Sequence, residues 1–409
     1  MEPDGNRRLL LDGATGTNLY LRGLPRGACV EEWVLEHPDA ARELQRAFVS
    51  AGSDIIYAPT FSANRVRLER HGHGEQVRSY CQQLVSLARE SAGKALVAGD
   101  LSPAGLMMEP YGDASFDSVV EIYEEQAQAL ADAGVDLFVI ETMISVPETR
   151  AAVLACRKYG KPVFVTMTLG NHGRLYMGGN PACALITMQS LGVSAFGFNC
   201  AFGPGQIAGA IRELAPYARI PLIAKPNAGE PNPLLPDHYD IGPAMMKDAM
   251  RGILDAGASI IGGCCGSTPE HIAALRSLLD EYAAVPLPAP VQEDPDAILL
   301  SSENELFILS SDQIELSEPI PCQLDMADSL LDAADEGCGV LLIQVDTPEE
   351  ARQFAMNAHM AKLPVCFSAG TGEALECALR LYQGRCMVDR NSPAENLEAV
   401  AGRYGAVIY

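Results

Sequence analysis

The chain has 409 residues, 48% hydrophobic and 20% charged, which suits two folded domains with sizeable cores and argues against disorder. Its formal net charge of -24 excludes nucleic acid or an anionic membrane surface as partner, since either needs a cationic face. The opening stretch MEPDGNRRLLLDG lacks an apolar run long enough for a signal peptide, and no later run could span a bilayer. The 12 cysteines, scattered without small-domain spacing, read as reduced thiols, so a cytoplasmic protein is expected.

Along the first 286 residues, short apolar runs alternate with helical stretches. LLLDG (9–13), DIIYA (54–58), ALVAGDL (95–101), DLFVIET (136–142), PVFVTMT (162–168), AFGFNC (195–200), PLIAKPN (221–227) and SIIGG (259–263) read as strands. Several intervening helical runs end in Ala-Gly just before the next strand, as at Ala51-Gly52, Ala133-Gly134 and Ala256-Gly257, where glycine is the usual stop. Eight buried strand–helix units in about 250 residues predict an α/β fold, a (β/α)8 TIM barrel, with an open doubly wound sheet as the alternative. Residues 287–299 are rich in proline and acid and read as a linker. Over 300–409, ELFILSS and QIELSEP suggest a hairpin, and GVLLIQV, PVCFSA, CMVDR and a terminal GAVIY resume the strand pattern. That is half the units of a barrel, a partial α/β domain whose exposed edges call for cover from the first domain, a second copy as a homo-oligomer, or a continuation beyond Tyr409.

In a parallel barrel, functional side chains come from the C-terminal strand ends and the loops after them. Asp12, Asp100, Glu141, Cys200 and Asn227 occupy such ends, and Cys264 and Cys265 follow the eighth strand. Strands six and eight have one strand between them and lie roughly 10 Å apart along the wall. Inward side chains from both could therefore meet at one ion. Adjacent strand residues point to opposite faces, so Cys264 and Cys265 converge only if the pleat breaks, a freedom that Gly262, Gly263 and Gly266 supply. Three thiolates on a tetrahedral Zn2+ leave one position open, the arrangement of a catalytic site. Such a soft set suits binding another thiol as thiolate. Three other readings stand beside it. Cysteine is often a small buried hydrophobe, as expected for Cys156, Cys183 and Cys377. The glycine loop leading into a helix could hold phosphate, with Ser267 or Thr268 as cap, Pro269 in the first turn and Glu270 closing a capping box. The vicinal pair could also be redox-active.

LLLDGATGT, DIIYAPTFSANRVRL, FNCAFGP, KPNAG and GGCCGSTPEHI, in this order over about residues 9–280, resemble the homocysteine S-methyltransferase family. Within it they are most similar to the homocysteine-binding module of the cobalamin-dependent methionine synthases. The resemblance implies a (β/α)8 barrel with zinc on Cys200, Cys264 and Cys265, and a homocysteine sulfur in the open position that accepts a methyl group. It also implies that Asp12, the Gly13-Ala14-Thr15 backbone, Glu141 and Asn227 hold the substrate's amino and carboxylate groups, with Asp100 structural. The second domain resembles, more faintly, the folate-binding barrel that follows in those enzymes. It has PIPCQLDMADS where they carry a pterin signature, LIQVDT where they carry an Asp-x-Asn strand end, and no later strands. A docking or scaffolding element rather than a methyltetrahydrofolate site is expected. No cobalamin-module signature occurs, so cobalamin is expected only indirectly, on a corrinoid protein partner that donates the methyl group. The alternatives are a small donor such as betaine or S-methylmethionine, a non-catalytic assembly protein with a structural zinc, and a metal-free phosphate-binding barrel.

Overall fold

A computed structural model describes residues 7–109, 112–232, 234–292, 294–312 and 314–409. Contacts divide the chain into two compact units, Met1–Gly178 with Val193–Pro290, and Gly179–Gly192 with Val291–Tyr409. The division falls inside the stretch read as a linker. Sequence reasoning assigned Gly179–Gly192 to the barrel.

In the first unit, eight parallel strands form one sheet: β1 (Leu9–Leu10), β2 (Ile55–Tyr57), β3 (Leu96–Leu101), β4 (Leu137–Met143), β5 (Val163–Met167), β6 (Ala195–Asn199), β7 (Leu222–Lys225) and β10 (Ala258–Ile261). The order β1-β10-β7-β6-β5-β4-β3-β2 curls round until Leu11 bridges Ile55, closing a TIM barrel. Seven of the eight strands lie within one or two residues of their expected places, and β1 ends three residues early, because each is a short apolar run buried on both faces. Leu9, Leu11, Ile55, Tyr57, Ala98, Leu137, Val139, Phe164, Ala195, Ile223 and Ile260 fill the lumen as one cluster. Charged side chains therefore gather above this apolar plug, at the C-terminal strand ends. Two short strands, β8 (Pro231–Asn232) and β9 (Leu235–Tyr239), form an unexpected antiparallel arm after β7.

In the second unit, β13 (Ile320–Pro321), β14 (Leu341–Val345), β15 (Val365–Ala369), β16 (Met387–Val388) and β17 (Val407–Ile408) form a parallel sheet in sequential order. This is the expected partial α/β domain. The hairpin differs from expectation. β12 (Leu306–Ser310) pairs with β11 (Ala297–Ser301), which begins inside the supposed linker, and QIELSEP contributes only a bridge from Leu316 to Val340. The alternation in DAILLS explains the pairing, since β11 turns Leu300 and Ile298 into the cluster with Val340, Cys366 and Met387. Among the described residues, no helix is long and apolar enough to cross a membrane.

Candidate metal centre and amino-group pocket

Cys200, Cys264 and Cys265 converge, their sulfurs all within 4.8 Å of one another and those of Cys200 and Cys265 3.9 Å apart. Zn–S bonds of about 2.3 Å at tetrahedral angles place sulfurs about 3.8 Å apart, close to the Cys200–Cys265 spacing, so the donor set suits one zinc ion. Three thiolates this close repel one another unless a cation sits between them. The Cys264 and Cys265 thiols donate to Cys200 and lower its pKa, and that same bonding raises theirs.

Both arms break the pleat, by different means. β10 stops at Ile261, ahead of both cysteines, and the chain leaves the pair through Gly266 in a left-handed turn, φ 79. Gly262 and Gly263 were expected to lend the same freedom but are needed for space instead. A Cβ on the first would lie 2.8 Å from Leu11 Cβ, and on the second 2.3 Å from Ser267 Oγ. On the β6 side the turn is made without glycine, by Cys200 at φ 60 and Ala201 at φ 55. Main-chain bonds from Cys200 N to Lys225 O (3.2 Å), Cys264 N to Pro226 O (2.8 Å) and Ala228 N to Cys265 O (2.9 Å) lash both arms to the end of β7. Tyr239, from the unexpected hairpin, lays its ring against Gly266 and donates its hydroxyl to Cys265. The helix Pro269–Glu281 starts at Thr268, so His271 rather than Glu270 occupies the third turn position, and its Nδ1 accepts from Thr268 N at 3.1 Å.

Beside the sulfurs lies a buried charge cluster. Lys225, 2% exposed, places Nζ 3.1 Å from Glu141 Oε2, 3.8 Å from Asp12 Oδ1 and 3.7 Å above the Tyr57 ring. Burial opposes its charge, but Glu141, Tyr57 and Asp12 outweigh it and hold its pKa well above the usual range. Burial raises Asp12 to about 6, against the pull of Lys225 and a 2.8 Å bond from Tyr57 N. Burial, and then Glu141, push the Asp100 carboxyl well above the usual carboxylate range. Asp12 Oδ1, Asp100 Oδ1 and Asn227 Oδ1 are buried acceptors with no hydrogen-bond partner among the described residues. A folded protein seldom leaves such atoms unpaired unless a ligand or water completes them. In the Gly13-Ala14-Thr15 turn, the Ala14 N–H is already taken by Ser267 Oγ at 3.1 Å, and Thr17 Oγ1, which sequence reasoning passed over, accepts from Gly266 N at 3.2 Å.

Sequence reasoning also missed Lys225 and Asn199. A lysine at the end of a buried strand reads as a surface residue, and nothing in the pattern places it between two carboxylates. Asn199 was quoted in FNC without a role. Its amide is fully buried and bonds to Thr142, with Glu141 and Cys264 also in reach.

Comparison with known proteins gives the family of the barrel. The family model for homocysteine S-methyltransferase matches residues 9–279. The chain is 32% identical to the methionine synthase of Mycobacterium leprae (strain TN) over 295 residues, 66% of this chain and 24% of that protein. It is likewise 32% identical to the methionine synthase of Mycobacterium tuberculosis (strain ATCC 25618 / H37Rv) over 294 residues, 65% of this chain and again 24% of that protein. It therefore spans about a quarter of the length of these curated relatives. Among solved structures it is similar to the metallated form of the homocysteine methyltransferase MmuM from Escherichia coli, with a TM-score of 0.58, 26% identity, and coverage of 67% of this chain and 97% of that one. The apo form of the same enzyme gives a TM-score of 0.54. The match runs through every residue of the sulfur cluster and of the charged pocket beside it, and the chain belongs to the homocysteine S-methyltransferase family.

Proposed function

We propose that this chain is a zinc-dependent S-methyltransferase that converts homocysteine to methionine, with the methyl group supplied by a methylcorrinoid protein. The observation that carries the reading is the pairing of two sites: three sulfurs spaced for one zinc, and a pocket of unpaired buried acceptors beside them. An amino acid with a thiol at one end and an ammonium at the other suits both. When bound, zinc supplies an open position that takes the substrate sulfur and favours its thiolate form.

The chain's own residues do the rest. Asp12 and Glu141 face one resident ammonium, Lys225, and have capacity for a second, the substrate's α-ammonium. Asn227 Oδ1 offers a further acceptor, and the Gly13–Thr15 turn borders the place for the substrate carboxylate. Holding both ends of the substrate fixes the sulfur's line of approach, which is the principal contribution of a site with no general base to offer. In the transfer, the sulfur lone pair forms the new S–CH3 bond as the bond from methyl carbon to donor breaks. The electron pair of that bond leaves with the donor. The corrinoid assignment rests on likeness to methionine synthase relatives.

The test is methionine formation by the metal-loaded chain with homocysteine and, separately, a methylated corrinoid protein, betaine and S-methylmethionine. Turnover with the corrinoid protein alone is expected. Turnover sustained by a free small donor would overturn the corrinoid assignment. Zinc retained without any response to homocysteine would favour an assembly protein with a structural metal.

A further inference from the structure

Of the four non-glycine residues with left-handed backbone among the described residues, three, Thr142, Cys200 and Ala201, lie at the C-terminal ends of β4 and β6, on either side of β5. Thr142, at φ 60, is the costliest, because a β-branched residue there is strained by about 1–2 kcal/mol. It sits where the β4–β5 ladder shifts between Ile140 and Met143. Such strain persists only where surrounding contacts over-determine it. Here one side chain does so. The Asn199 amide, wholly buried, accepts from Thr142 N through Oδ1 at 2.9 Å and donates from Nδ2 to Thr142 Oγ1 at 2.8 Å. The same Nδ2 lies 3.4 Å from Glu141 Oε2 and 3.8 Å from Cys264 Sγ. A single amide therefore touches the kinked strand, a carboxylate of the amino-group pocket and a sulfur of the metal set.

We propose that Asn199 is a positioning residue that fixes the distance between the amine pocket and the sulfur site, and so selects substrates by the number of methylenes between thiol and amine. This rests on the proposed homocysteine reading. The amide ties Glu141 to Cys264 through rigid planar geometry, and its bond from the Thr142 N–H, which glycine there would keep, holds Glu141 turned toward Lys225. Cysteine, one methylene shorter, cannot satisfy both sites at that fixed spacing. Without the amide, Glu141 gains freedom to follow a shorter substrate.

The test uses the full chain loaded with zinc and measures Kd by calorimetry for homocysteine, cysteine and 4-mercaptobutyrate, which is homocysteine without its amine. The wild type is expected to favour homocysteine over cysteine by about tenfold or more, the usual worth of a methylene in a fitted site. Asn199→Ala should keep its zinc, lose most of that ratio and bind 4-mercaptobutyrate nearly as before. Because the alanine variant leaves Thr142 strained and could fold poorly, Asn199→Ala is also made with Thr142→Gly, which takes the left-handed turn freely. The double variant should fold, hold zinc and show the same reduced ratio, whereas Thr142→Gly alone keeps the wild-type ratio. In the cobalt-substituted protein, the sulfur-to-metal absorption band should shift with Asn199→Ala and not with Thr142→Gly. An unchanged homocysteine-to-cysteine ratio, equal weakening of all three thiols or loss of zinc would overturn the proposal. A wild type that binds 4-mercaptobutyrate as tightly as homocysteine would instead overturn the homocysteine reading, and the proposal with it.

Discussion

The sulfurs of Cys200 and Cys265 lie 3.9 Å apart although 65 residues separate them along the chain. Both are carried by backbone that leaves its strand in a left-handed turn, at Cys200 itself and at Gly266 beside Cys265. The purified chain should hold about one zinc. Cys200→Ala should lower zinc affinity about 100-fold or more, beyond the usual effect of losing a group that only orients a ligand. The fold should survive, since the Cys200 side chain is only partly buried. Loading the metal-free chain at neutral pH should release about two protons, because Cys200 begins as thiolate while Cys264 and Cys265 begin as thiols. Metal analysis and titration in weak buffer check both numbers. Unchanged zinc content in the variant would contradict the shared site.

The barrel and its thiols were legible in sequence because their signals are local. Each strand is a buried aliphatic run, and the glycines around Cys264-Cys265 mark where the pleat must break. What was not legible depends on tertiary contact. Cys200 and Ala201 turn left-handed with no glycine to announce it, where main-chain bonds to the end of β7 hold the segment. The arm that delivers Tyr239 is rich in proline, which argues against strands, yet a two-stranded arm with outward edges tolerates it. The β11–β12 pairing was missed because an acidic, proline-rich approach masked the alternation that follows it. Lys225 ends a strand as many surface lysines do, and only the folded barrel sets it between Asp12 and Glu141.

Lys225 should be indispensable to that pocket's integrity. Removing one partner of a buried ionic group leaves the others uncompensated, at a cost of about 3–5 kcal/mol. Lys225→Met should lower stability by that order in denaturant unfolding and weaken homocysteine binding. Lys225→Arg should not restore it, since a guanidinium does not fit a site only 2% exposed with an aromatic ring 3.7 Å from the ammonium. A methionine variant as stable as the wild type would show that the cluster carries no such charge balance.

Asp12 should leave a pH signature. Burial raises its pKa from 3.8 to about 6, so the folded chain binds this proton more tightly than the unfolded chain does. Its contribution to stability is therefore greatest below pH 4, declines as pH rises toward 6 and is flat beyond. The full difference is about 3 kcal/mol. Asp12→Asn keeps the bond from Tyr57 N but cannot titrate. Relative to wild type, the variant should gain stability between pH 4 and pH 7 by up to that amount. Denaturant midpoints at the two pH values give the comparison, and a relative loss over the same interval would show that Asp12 is not held up by burial.

Gly266 offers the sharpest test of the turn that gathers the sulfurs. At φ 79 any side chain is strained, and a Cβ there would fall 2.2 Å from Tyr239 Cγ. Gly266→Ala should cost about 1–2 kcal/mol from the backbone alone. The displaced ring should also withdraw its hydroxyl from Cys265, so zinc affinity should fall along with stability. Gly252, inside the helix Pro243–Asp255, is the control, because a Cβ there meets nothing within 4 Å. Gly252→Ala should stabilise the chain by about 0.5–1 kcal/mol, since alanine loses less backbone freedom in a helix. Opposite signs at the two glycines, read by thermal unfolding with and without zinc, are the expected result. If Gly266→Ala bound zinc as tightly as wild type, the left-handed turn would not be what aligns Cys264 and Cys265.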